Sequence, residues 1–305
     1  MFECFKIQLL AVPLNTSPFD IAEGKVLKKI GCLSEGVCLN PTIIVADPFL
    51  FVRNNRLFLF YESKKMFADG VIMMTSTTDL KNWTEPIVVL EENFHLSYPY
   101  VFMEDAKIYM IPETSEDESV RLYEALDENL TNWKLKAKLI EKSSKSEMKM
   151  AYSDSSIYKK NDIYYLMTTV QYKDGINTLE LYYSDSLIGE YIRHPLSPIA
   201  HGQDIGRNAG CLQEINGRLY RFSQNCVYGY GDNVNVSEVL QLTTTEYQEH
   251  IIKENIYSLE IPFYHRGGHQ LNIAIFKDSW IVATDAKEYH PLLYARIMNR
   301  LKRFF

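Results

Sequence analysis

The feature that most constrains this chain is a unit that it repeats. The segment DPFLFVRNNRLFLFYE, opening at Asp47, aligns without a gap with YPYVFMEDAKIYMIPE, opening at Tyr98. Pro48 meets Pro99, Phe51 meets Phe102, Asn54-Asn55 meets Asp105-Ala106, and Glu62 meets Glu113. Each segment reads as two apolar strands joined by a tight polar turn, the pattern of a β-hairpin. The unit returns from Asp154 as DSSIYKKNDIYYLMTT, around Cys211 as CLQEINGRLYRFSQ, and more faintly as LNIAIFKDSWIVATD. Second strands open near Leu57, Ile108, Ile163, Leu219 and Trp280, a period of roughly 50 to 60 residues.

The first four copies also carry a third strand and polar turn, VIMMTSTTDLKNW, VRLYEALDENLTNW, LELYYSDSLIGEY and EVLQLTTTEYQEH. Three to four antiparallel strands per unit, repeated five times, predict an all-β, five-bladed β-propeller. The alternation in stretches such as RLFLFYE excludes helical repeats. A ring of blades has to close or leave open sheet edges. Residues 1–39, which include the strand-like KVLKKIGCL, are therefore expected to complete the last blade or cover the bottom of the ring. Residues 40–290 form the propeller in this reading. Residues 291–305 form a short basic amphipathic helix, with Leu293, Ile297, Leu301 and Phe304 on one face and Arg296, Arg300, Lys302 and Arg303 around it. Such a helix either packs on the propeller or lies on an anionic membrane surface.

Composition removes several function classes. With 39 acidic against 32 basic residues and a net charge of −7, the chain lacks the basic surface that a nucleic-acid partner requires. Its five cysteines show no CxxC spacing and no neighbouring His cluster, so reduced thiols are expected, with no metal site and no cofactor. The apolar start has no basic leader, and no run of about 20 apolar residues occurs. A cytoplasmic location is expected, peripheral to the inner membrane if residues 291–305 bind lipid.

In a propeller the innermost strands surround a central depression, and the residues opening those strands converge on it. Asp47, Tyr98, Asp154, Arg207-Asn208 and His269-Gln270 hold comparable positions in the five units. Asp47 and Asp154 are the catalytic candidates, because two carboxylates facing one pocket can act as base and acid or orient sugar hydroxyls. Tyr98, Glu113, Arg207, Asn208, His269 and Gln270 are the substrate-binding candidates. Arg207 can hold a phosphate or carboxylate bidentately. Glu113 either binds hydroxyls or pairs with Arg121, and His269 follows two glycines that permit close backbone approach.

The motifs ADPFLF, DSSIY and TSTTDLKNW resemble glycoside hydrolase family 43 and its relatives in families 32 and 130. That resemblance implies a general base at Asp47 and a pKa-tuning, sugar-orienting role at Asp154. The general acid of that family is a fourth-blade Glu, whereas GRNAG places Arg207-Asn208 there. Loss of a positioned acid removes about 10²–10⁴-fold of catalysis from departure of an alcohol. The departure therefore points to a donor with a good leaving group, such as a nucleotide sugar.

A second resemblance spans nearly the whole chain. ADPFLF, YPYVF, IPET running into VRLYEA, HPLSPI, GRNAG, GRLYRFSQNC and YGYG resemble the N-terminal domain of plant glucosamine inositolphosphorylceramide transferases and of bacterial relatives. It implies a carbohydrate-active propeller of bacterial surface glycan or glycolipid biosynthesis, performing glycosyl transfer with Asp47 as base. A saccharide or nucleotide sugar would be its ligand, and a lipid-linked acceptor would be reached through residues 291–305. The alternatives are a hydrolase or phosphorylase of the family 43/130 type, and a non-catalytic glycan-binding module beside a separate glycosyltransferase.

Overall fold

The computed structural model describes residues 2–31, 40–144 and 146–290. The expected amphipathic helix, residues 291–305, lies outside them. The chain begins with β1 (Phe2–Pro13) and β2 (Lys25–Ile30). Blade one follows as β3 (Thr42–Arg53), β4 (Arg56–Lys65), β5 (Gly70–Thr77) and β6 (Ile87–Leu90). Blade two is β7 (Ser97–Glu104), β8 (Lys107–Glu113), β9 (Ser119–Ala125) and β10 (Trp133–Glu141). Blade three is β11 (Met150–Lys160), β12 (Ile163–Gln171), β13 (Asn177–Ser184), β14 (Ile192–Arg193) and β15 (Ala200–His201). Blade four is β16 (Gln213–Ile215), β17 (Arg218–Asn225), β18 (Asn233–Leu242) and β19 (Tyr247–Lys253). Blade five contributes only β20 (Leu271–Phe276) and β21 (Ser279–His290) from its own end of the chain.

The ring closes because β1 pairs antiparallel with β21 along its whole length and β2 adds outside it, giving the order β2-β1-β21-β20. The first thirty residues thus supply the outer half of the last blade, which removes the exposed edge of β21.

Local chemistry sets each inner hairpin. Asn54-Asn55, Asp105-Ala106, Asn161-Asp162 and Asn216-Gly217 all have positive φ at both positions. These are the dihedrals of the two-residue turn whose twist matches the flanking strands, and Asn, Asp and Gly tolerate them. Alternation along each strand then feeds two cores instead of one. On β4, Phe58 and Phe60 pack with blade two, while Leu57, Leu59 and Tyr61 pack with blade five. Equivalent cores fill the remaining gaps between blades two and three, three and four, and four and five. Both faces of a second strand are buried, so it reads as almost continuously apolar.

Candidate functional site

Three of the five inner strands begin in the same unusual way. Asp47, Tyr98 and Asp154 have φ of 53°, 47° and 51°, in the left-handed region, and each sits at a register shift of its hairpin. A bulge of this kind bends the strand and re-aims its side chain, and strained non-glycine residues concentrate at functional sites. The register is shared as well: Ala46 pairs with Glu62, Ser97 with Glu113, and Ser153 with Thr169. The end of each second strand therefore arrives beside the opening of the first.

Side chains from these ends stitch the ring together. Asp47 receives the Tyr98 backbone N–H at 3.2 Å, and its own N–H donates to Asp285 at 3.2 Å. The Asp154 N–H donates to Glu113 at 3.3 Å, and Arg207 Nε donates to Asp154 Oδ2 at 2.6 Å. The same guanidinium lies 3.9 Å from Glu113 and 5.0 Å from the Tyr230 ring centre. His269 bridges two acids, with Nε2 at 3.4 Å from Asp47 and Nδ1 at 2.7 Å from Asp285. Glu62, also buried, faces His95 at 3.3 Å.

Acids outnumber cations in this centre, and their protonation reflects it. Burial pushes Asp47 up to about 6, with Asp285 and Glu113 adding like charge and His269 and Arg207 pulling the other way. Burial pushes Asp154 up to about 8 despite the pull of Arg207, with Glu113 and Asp47 opposing its ionisation further. Burial and the nearby Asp47 raise Glu62 well above the carboxylate range. Burial alone would lower His269, but Asp285 and Asp47 outweigh it and raise the imidazole above its ordinary value. The centre is thus a set of carboxylates spread in proton affinity, as acid–base chemistry at neutral pH requires.

Several residues singled out in the sequence have structural work here. Tyr98 was expected to contact substrate, but its ring is fully buried, packed edge-on against Phe49. Its hydroxyl accepts the Gly210 N–H from blade four at 3.0 Å, so it ties blade two to blade four beneath the acids. Asn208, also expected at the substrate, donates its side-chain Nδ2 to the Asp154 carbonyl, while its backbone N–H and carbonyl bond Thr169 and Gln224 across blades three and four. Arg207 is held by Asp154 and Glu113. Arg121 pairs with Asp117 and Glu92 and not with Glu113. The buried Gln270 side-chain amide engages no other described group and keeps both donor and acceptor capacity. Its backbone N–H is fixed by Asp285.

Blade four brings a cation to the centre and no carboxylate. Asp204 meets Asn235 through its backbone, and Glu214 meets the Tyr158 hydroxyl on the outside. Sequence reading missed Asp285, Glu62 and Tyr230. The first two were accessible, because the repeat puts them where Glu113 stands in blade two. Tyr230 belongs to a loop between strands and left no repeat signal. No metal cluster is legible in the sequence, yet the fold brings Asp47, His269 and Asp285 within 4.8 Å of one another, close enough to hold an ion. His269 already supplies positive charge between the two acids, which competes with a metal.

Fold and centre together define a class: a five-bladed β-propeller with a buried, acid-rich centre. The chain belongs to the family described as glucosamine inositolphosphorylceramide transferase 1, N-terminal, which matches residues 22–285. Glucosamine inositolphosphorylceramide transferase 1 of Arabidopsis thaliana is 34% identical over 230 residues, 73% of this chain and 28% of the plant protein. The Oryza sativa subsp. japonica protein of the same name is 35% identical over 216 residues, 68% of this chain and 28% of that protein. The chain thus spans under a third of these relatives. Among solved structures, a family 117 glycoside hydrolase from Zobellia galactanivorans superposes with a TM-score of 0.56 at 11% identity, covering 83% of this chain and 92% of its own. A family 32 β-fructofuranosidase from Bombyx mori superposes at 0.55 with 14% identity, over 78% and 54% of the two chains. At these identities the superpositions establish the fold alone.

Proposed function

We propose that this propeller is carbohydrate-active and takes part in glycosyl transfer, with Asp47 as the base that deprotonates an acceptor hydroxyl. One observation carries the reading: a buried carboxylate, raised to about 6, whose ionised form is supported by the Tyr98 N–H and by His269. A base titrating near neutrality combines the correct protonation state with useful proton affinity. Arg207 positions Asp154, and Asp154, Glu113 and Gln270 orient sugar hydroxyls. The fourth blade presents a guanidinium to these acids, which suits a donor whose leaving group needs no protonation. The family supports a glycolipid or surface-glycan context. Among the described residues no helix is long and apolar enough to cross a membrane, and a lipid-linked acceptor would meet the protein at its surface.

The test is release of nucleotide from UDP-N-acetylglucosamine in the presence of an inositol-phosphate acceptor. Wild-type turnover that falls about 10²–10⁴-fold in Asp47→Asn is the expected result. Full turnover in that variant overturns the assignment of the base. Saccharide binding with no turnover in wild type replaces the transferase by a glycan-binding module.

A further inference from the structure

A cavity with a volume of about 510 Å³ opens between blades four and five. That is the size of a small-molecule site. Its walls include Asn225 at the end of β17, Tyr228 in the loop before β18, Arg266 in the loop before β20, and Lys287 on β21, two residues beyond Asp285. A single segment separates it from the acid-rich centre. On one side of that segment Tyr230 stacks on Arg207 and meets the His269 ring at 5.1 Å. On the other side Asp232 lines the cavity. The segment is tightly set: a Cβ on Gly231 would lie 3.0 Å from that of His269, and one on Gly267 would lie 2.2 Å from the Asp232 carbonyl oxygen.

The charges in this cavity differ from those of the centre. Lys287 is buried, donating to Asp232 at 2.9 Å and to the Tyr230 carbonyl at 2.6 Å, so that cation and acid cancel. Arg266 is exposed, has no carboxylate partner among the described residues, and lies 5.8 Å from the Tyr289 ring. Tyr228 is 94% exposed, an aromatic face presented to solvent on an otherwise acidic protein. Asn225 and Asn255 bond to each other at 3.0 Å and hold their amides at the wall. An unpaired guanidinium beside aromatic faces and amides is suited to a phosphoryl group attached to a ring. The centre is unsuited to that group, because it is buried and its Arg207 guanidinium is already held by Asp154.

We propose that this cavity is a subsite for a phosphoryl-bearing ring compound, with Arg266 meeting the phosphate and Tyr228 covering the ring. The assignment rests on the function proposed above and adds to it the place where the charged part of the substrate binds. A nucleotide donor and a phosphoinositol headgroup share this chemistry.

Calorimetric titration of the intact protein with UDP, myo-inositol 1-phosphate and N-acetylglucosamine separates them. One phosphorylated probe should bind wild type and Asp47→Asn equally, weaken as salt rises, and lose about ten- to a hundredfold in affinity in Arg266→Ala. Tyr228→Ala should weaken the same probe. Both changes are at exposed positions, and unchanged melting confirms folding. Tight UDP identifies a donor site, and tight inositol phosphate an acceptor site. Binding of a phosphorylated probe that ignores Arg266→Ala overturns the proposal, as does failure of both phosphorylated probes to bind. Asp47 stands or falls separately, because its test reads turnover and this one reads affinity.

Discussion

The buried centre and the cavity beside it are built on opposite terms. In the centre nearly every charged group is spoken for: Arg207 by Asp154, His269 by Asp47 and Asp285, and Glu113 by the Asp154 backbone N–H. These groups come from all five blades and are buried, so they hold a geometry and shift one another's protonation. In the cavity between blades four and five, Arg266 and Tyr228 come from loops and project into solvent. A buried charge is part of the frame, and an exposed unpaired one is free for a ligand. The two arginines therefore differ in what their loss should do.

The largest expected effect breaks that comparison at Arg207. Arg207→Met leaves Asp154 buried without its cation, and removing one partner of such a pair costs about 3–5 kcal/mol. Denaturant unfolding should show that loss, and adding Asp154→Asn should recover much of it. Arg266→Ala should stay within about 0.5 kcal/mol of wild type in the same experiment, as exposed substitutions do. Equal losses at both positions would erase the distinction.

A smaller effect concerns the pH profile. Because cationic His269 draws Asp47 down, His269→Gln should move the Asp47 titration above its value of about 6. The acid limb of kcat/KM then shifts to higher pH, while a limb that stays in place would show that His269 does not govern the base. The stability sign for this histidine follows from its raised pKa. Its contribution is complete below the ordinary imidazole value and is lost as pH rises through the folded value.

The smallest effect is at Glu62. A carboxyl raised in the folded state binds its proton more tightly there than in the unfolded chain, so its contribution falls as pH rises above the ordinary carboxylate range. Glu62→Gln copies the protonated form. It should melt roughly 2–4 °C higher than wild type at pH 8, with the gap closing toward pH 4. An unchanged melting temperature at both pH values would mean that His95 fully offsets the burial of Glu62.

Much of the fold is legible from the residues because its cause is local. The turns at Asn54-Asn55, Asn161-Asp162 and Asn216-Gly217 declare themselves by residues that accept positive φ, and Asp105-Ala106 follows them through the repeat. The alternation of β4 follows from having a blade on either side. Asp47 and Asp154 could be found because the repeat puts them at strand openings. Equivalent places in the repeat do not ensure equivalent surroundings: Tyr98 and Asn208 are fully buried, one packed on Phe49 and the other bonded to the Asp154 carbonyl.

By itself, the sequence determined the number of blades and the hairpin at the heart of each, since turn residues and alternation are local and recur with the repeat. The tertiary structure alone decided who pairs with whom. Arg207 meets Asp154 from 53 positions away once blades three and four pack together, and Asp47 is joined to Asp285 across 238, where the first and last blades meet. Proton affinities and the free or engaged state of an arginine depend on burial and on neighbours from other blades, and neither is written in a local pattern.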